Sequence, residues 1–209
     1  MAYQFNGTNQ NFRIDLAQGY ACTFACWARP TNSPGVWRNL IVSDASPLTT
    51  SENSLGLGFN PSGKLTAYSF VEPSTSFESQ SSTIYSANNW YHCAGIWPSN
   101  SSRTSYLNGV ASTAASGTAN IAPTVIWIGA FSGVADRFTG QIAEVGIWNT
   151  ALTAAEIASL AKGMTPDKIR PQNLVFYAPL VRNLIDQKGG LTITNNNAAT
   201  VAAHPRIYP

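Results

Sequence analysis

Side chains able to do acid–base or nucleophilic chemistry are few: ten carboxylates, two histidines and three cysteines in 209 residues. Glycoside hydrolysis needs a paired acid and base or nucleophile. Closely spaced carboxylates on one strand, as in Glu-x-Asp-x-Glu, would supply the pair, and no such pattern occurs. Glu72 and Glu78 are separated by Pro73 and four further residues, and Glu144 has no acidic neighbour within five positions. Each reads as a solvated surface carboxylate. A Ser–His–acid triad would have to recruit His92 or His204. His92 lies in an aromatic, strand-like stretch and reads as a core or edge residue with its hydrogen bond satisfied. His204 precedes Pro205 near the chain end, and no G-x-S-x-G elbow is present. These observations predict a protein that is not an enzyme.

The thiols point the same way. Cys22 and Cys26 lie in ACTFACW and Cys93 in WYHCAGIW, both apolar and strand-like. An odd number of cysteines does not suggest a disulfide framework. Free cysteine in such surroundings behaves as a small buried hydrophobe. A metal site would need a fourth ligand that the sequence does not identify. The run GFNPSGK (residues 58–64) has the spacing of a phosphate-binding loop. However, Leu65 stands where Ser or Thr would hold magnesium, and the run sits in a hairpin rather than before a helix. No cofactor is expected.

Sugar binding would need exposed aromatic platforms, because flat rings with polar neighbours stack on sugar faces in shaped, partly polar sites. Trp37, Tyr68, Phe70, Tyr85 and Trp97 are the candidates. Trp37, in the loop-like PGVWRN, is the one singled out for ligand binding; large aromatics otherwise build cores.

The elements that would position these residues are strands. ACTFACWAR alternates and stops at Pro30. SLGLGFNPSGKLTAYSF is a hairpin about Asn60-Pro61-Ser62-Gly63, and RTSYLNGVAST is another about Asn108-Gly109, since both residues tolerate positive φ. TVIWIGAF is a strand buried on both faces. RFTGQIAEVGIWN is an irregular strand with a bulge near a glycine. One helix is predicted near 153–162. Thr153 is its N-cap, Glu156 completes a capping box, Leu152 staples onto Ile157 and Gly163 ends it. Being short, it must pack on a sheet edge or cover an open end of the sandwich. NLVFYAPL and GLTITNN are further strand candidates, and the tail AATVAAHPRIYP is extended.

The segments YQFNGTNQNF, FACWARP, NNWYHCAGIW, SYLNGV and FTGQIAEVGIWNTALTAAEI, in that order over residues 3–162, resemble laminin-G-like and pentraxin-like modules of the concanavalin A-like superfamily. The resemblance implies an all-β fold: a two-sheet antiparallel jelly-roll sandwich over 1–163, with residues 164–209 as a C-terminal extension packed on the same domain and ending in an extended tail. It also raises calcium, which relatives hold in rim loops. The acidic loop of that family is not matched: FSGVADRFTG carries only Asp136, and Asp44 and Glu52 would have to come from another loop. The carboxy-terminal segment resembles that of stand-alone phage proteins of this fold.

Only 11% of residues are charged and the net charge is +2, so the basic clusters that bind nucleic acid are missing. No apolar run approaches the roughly 20 residues that span a bilayer. The expectation is a non-catalytic virion structural protein, a capsid decoration or cement subunit on the outer surface of a phage particle, made in the host cytoplasm. Its partners would be capsid or other virion proteins and further copies of itself as a homo-oligomer. The alternative is a carbohydrate-binding, lectin-like module whose partners are surface glycans. Neither nucleic acid nor membrane is expected as a partner.

Overall fold

Alternation along Cys22–Pro30 decides how the layers stack. Phe24, Cys26 and Ala28 enter one buried cluster, while Ala25 enters a second on the opposite side of the strand, as a two-residue period requires. The computed structural model describes residues 2–44, 53–132 and 134–205. Its strands in chain order are β1 (Ala2–Asn6), β2 (Asn11–Ile14), β3 (Cys22–Pro30), β4 (Arg38–Asp44), β5 (Ser54–Phe59), β6 (Lys64–Val71), β7 (Thr75–Ile84), β8 (Tyr91–Ser99), β9 (Ser102–Leu107), β10 (Val110–Ala111), β11 (Ala115–Ser116), β12 (Val125–Ile128), β13 (Thr139–Trp148), β14 (Leu174–Ala178), β15 (Thr194–Asn196) and β16 (Thr200–Ala202). One sheet runs β10-β9-β8-β3-β13-β1-β16, with β11 on β9 and β14 on β13; the other runs β15-β2-β12-β4-β5-β6-β7. All these pairings are antiparallel. The architecture is the two-sheet antiparallel sandwich expected from the sequence.

Between the sheets lie Phe5, Phe12, Phe24, Leu57, Phe59, Trp97, Ile126, Ile142 and Phe176, all at most 1% exposed. Each such side chain contributes roughly 1.5–3 kcal/mol by leaving water. Rings meet edge-on or tilted, Phe5 on Phe12 and Phe24 on Trp97, both at 4.9 Å. Both predicted hairpins form. Asn108 and Gly109 take φ of 51° and 80° between β9 and β10. Gly63, at φ 77°, closes the β5–β6 turn, with its amide on the Asn60 carbonyl at 2.8 Å.

The α-helix, α1 (Ala154–Ala161), is capped as predicted by a reciprocal Thr153–Glu156 box. Its position differs from the expectation of an edge or open end. Ile157 and Leu160 join Ala25, Ala94, Ile96, Tyr106 and Trp148 on the outer face of the first sheet. Those residues alternate with the inner core on β3, β8, β9 and β13, so that face is apolar and must be covered. The irregularity in β13 is a bulge between Ala143 and Gly146, and its left-handed residue is Glu144 (φ 52°) rather than a glycine. Residues 174–202 extend both sheets: β14 lies on β13, β15 on β2 and β16 on β1. Tail residues 206–209 lie outside the described residues.

Candidate functional site

Among the described residues, no helix lies on the outer face of the second sheet. A straight cross-strand row runs over it. Trp127 on β12 stands opposite Val42 on β4, Val42 opposite Gly56 on β5, Gly56 opposite Tyr68 on β6, and Tyr68 opposite Glu78 on β7. Gly56 is what lets the row close. A Cβ there would overlap the Tyr68 ring, so the missing side chain allows the phenol to lie flat across β5. The Tyr68 hydroxyl then donates to Asn39 Oδ1 at 2.8 Å. The Asn39 backbone N–H donates to the Asp136 backbone carbonyl at 2.9 Å, fixing the loop that precedes β13.

Around this row opens a cavity of about 290 Å³ lined by Trp37, Asn39, Tyr68, Phe70, Ser76, Glu78, Phe131 and Asp136. Trp37 meets Tyr68 edge-on at 5.6 Å and 70°, and Phe70 meets Phe131 at 6.2 Å and 87°. Glu78 accepts from Ser76 Oγ at 2.9 Å and from Gln80 Nε2 at 2.8 Å. No lining residue is basic. Burial, followed by the negative charges of Asp136, Asp44 and Glu78, holds the Tyr68 hydroxyl well above its ordinary pKa. Burial also raises the Asp136 carboxyl. The site thus offers four rings, an amide and two carboxylates. Such a set can stack on a sugar face and accept hydrogen bonds from its hydroxyls.

A profile of the concanavalin A-like lectin/glucanases superfamily matches residues 6–158. The chain belongs to that superfamily. Among solved structures, this superfamily member is similar to a heptameric SAP-like pentraxin from Limulus polyphemus (TM-score 0.64, 13% identity, covering 96% of this chain and 97% of that one). It is similar to domain 4 of AbnA, a GH43 extracellular arabinanase from Geobacillus stearothermophilus, in complex with arabinotriose (0.60, 19%, 77% and 76%). A third relative is the Ruminococcus gnavus IT-sialidase CBM40 (0.59, 13%, 77% and 96%). At these identities the likeness is one of fold. No curated protein sequence matches.

Of the five aromatic candidates, Trp37, Tyr68 and Phe70 meet at the cavity of this superfamily member. Tyr85 and Trp97 are core residues, 2% and 0% exposed. Sequence spacing gave no sign of Phe131, Asn39 or Ser76, because each arrives on a different element. Glu78, set aside as surface, lines the cavity. Glu144 also departs from the surface reading. It is 6% exposed, accepts from the Tyr177 hydroxyl at 2.6 Å, and faces His204 Nε2 at 2.9 Å. The bulge turns it toward β14 and the tail.

The described residues do not fit calcium. Among the described residues no three His, Cys, Asp or Glu gather as a metal group. Asp44 is buried and accepts from Trp127 Nε1 at 3.1 Å and Ser132 Oγ at 2.7 Å, while Glu52 lies outside the described residues. His92 is buried as expected, edge-on to Trp27 at 5.5 Å, but its Nδ1 has no hydrogen-bond partner among the described residues, and burial depresses its pKa to about 3. The three cysteines are free and fully buried, their thiols pushed up by burial. GFNPSGK spans the β5–β6 turn, with no helix behind it.

Proposed function

We propose that this chain is a non-catalytic carbohydrate-binding module whose cavity on the outer face of the second sheet holds a sugar ring. Trp37 and Tyr68 provide the stacking surface, and Asn39, Glu78 and Asp136 provide the hydrogen bonds. The observation that carries this reading is the convergence of four rings and two carboxylates from four separate segments on one cavity. Two fold relatives support it: one is a domain seen with arabinotriose and the other a carbohydrate-binding module. The test is a glycan array followed by titration of the best ligand. Trp37→Ala is expected to weaken binding at least tenfold with the fold intact; unchanged binding overturns the assignment. Turnover of the bound glycan that disappears in Asp136→Asn would instead make the carboxylates an acid and a base.

A second reading places the module on the outer surface of a phage particle as a self-associating decoration subunit, assembled after synthesis in the host cytoplasm. It is supported by the low charge content and by exposed apolar side chains at strand ends, Ile84 at 58% and Val110 at 67%. Light scattering and particle binding test it. A monomer that ignores capsids would end it.

A further inference from the structure

Arg103 on β9 points inward, with Ser105 and Leu107, toward β6 and β7, and its side chain is 0% exposed. Its guanidinium lies 5.2 Å from the Phe77 ring. Nη2 donates to the carbonyls of Asn100 (3.3 Å) and Gly117 (2.6 Å), but Nε and Nη1 are buried with no hydrogen-bond partner among the described residues. Two further buried hydroxyls lie in the same end of the sandwich, those of Tyr20 and Ser69; they interact with each other and have no other partner among the described residues. The Tyr20 hydroxyl lies beside Ser69 and within electrostatic reach of Arg103. Among the described residues, no carboxylate forms an ion pair with Arg103.

Two guanidinium N–H groups, which can only donate, meet a phenol and an alcohol, each able to donate one hydrogen bond and to accept others. Arginine stays charged in proteins, and a buried charge without a counter-charge is strongly disfavoured. Buried polar groups in native proteins are otherwise almost always satisfied. A water molecule could accept from these donors but would leave the charge uncompensated. We propose that Arg103, Tyr20 and Ser69 form an internal site for a small monovalent anion of the chloride type, held between the sheets. A surface opening lined by Tyr20, Asn100, Asn120 and Ile121 shares Tyr20 with the site, and its Asn100 carbonyl accepts from Arg103, so it would be the entry route. The site is separate from the sugar cavity and shares no residue with it. Its role is structural: the anion completes the seam where β9 meets β6 and β7.

The test uses the whole chain at constant ionic strength, with sodium chloride replaced stepwise by sodium gluconate, whose anion is too large to enter. Chloride is expected to raise the melting temperature saturably, by about 3–5 °C at tenfold excess over the dissociation constant. Tyr20→Phe and Ser69→Ala, which keep the packing, are expected to fold and to lose most of that dependence. A crystal grown in bromide is expected to show an anomalous peak within hydrogen-bonding distance of Arg103 Nε. A melting temperature indifferent to chloride, or density for water alone with no bromide peak, overturns the proposal.

Discussion

The two outer faces of the sandwich are built from the same kinds of residue and end up doing different things. On the first sheet, Trp148, Tyr106 and Ile96 are roofed by α1 and the segment that follows it. Trp148 is 0% exposed, with its indole N–H on the Ile169 carbonyl at 2.8 Å. On the second sheet, Trp37, Tyr68, Phe70 and Phe131 ring a cavity with carboxylates at its margin. An aromatic residue on an outer face becomes core or platform according to what covers it, not according to its own strand. A roof turns rings into stability, and an open face leaves them available to a ligand.

The largest expected effect that sharpens this contrast is Trp148→Ala, which empties the roofed cluster and orphans the Ile169 carbonyl. It should cost about 3–5 kcal/mol in denaturant unfolding, whereas Trp37→Ala should cost less than about 1 kcal/mol while abolishing most glycan binding. Equal losses of stability would erase the distinction between the two faces.

The roofed face also holds His92, and here the contrast can be read by pH. Burial lowers its pKa from 6.5 to about 3, so the native state keeps it neutral while the unfolded chain takes up a proton below 6.5. The unfolded state then binds more protons, and stability falls as pH drops from 6.5 toward 3, by up to about 1.4 kcal/mol per pH unit. Denaturation curves across that range should flatten in His92→Gln relative to the parent. A parent curve already flat would show that the ring is not shut away from water.

Smaller effects follow. Thr153→Ala removes the cap that seats the roof and should cost about 1 kcal/mol, leaving glycan affinity unchanged in the same titration. On the open face, Glu78 and Asp136 repel anions. Sialylated or uronic glycans should therefore bind several-fold more weakly than neutral ones of the same size, and Asp136→Asn should narrow that gap. A preference for acidic glycans would put the ligand elsewhere.

Much of the scaffold was legible because it is written locally. Asn108-Gly109 and Asn60-Pro61-Ser62-Gly63 specify turns through backbone dihedrals, Thr153 and Glu156 specify a helix start through one hydrogen-bond exchange, and Leu55, Leu57 and Phe59 specify an inner face by alternation. Trp37 could be picked out as a platform because its neighbours Pro34, Gly35 and Asn39 suggest a loop. The rest of the site could not. Glu78 and Tyr68 face each other only through the β6–β7 register, Phe131 and Asp136 reach the cavity only because a loop folds back onto β4, and Gly56 matters only for the ring that crosses it. The partners of Glu144 lie 33 and 60 residues away, and Arg103 looks like any surface arginine until β9 is set against β6. The helix is a mixed case: its ends were readable, but the face it covers depends on which strands are neighbours.

The pairing of β16 with β1 and of β15 with β2 has a consequence for how the molecule is made. The outermost strand at one border of each layer comes from residues 194–202, and its partner from residues 2–14. A nascent chain must therefore hold β1 and β2 unpaired along one side until residues 194–202 have left the ribosome. Such late, long-distance closure makes assembly slow and leaves two bare borders exposed to other growing chains in the meantime. Stopping synthesis at residue 193 should yield a species with most of its interior in place that sticks to its own kind.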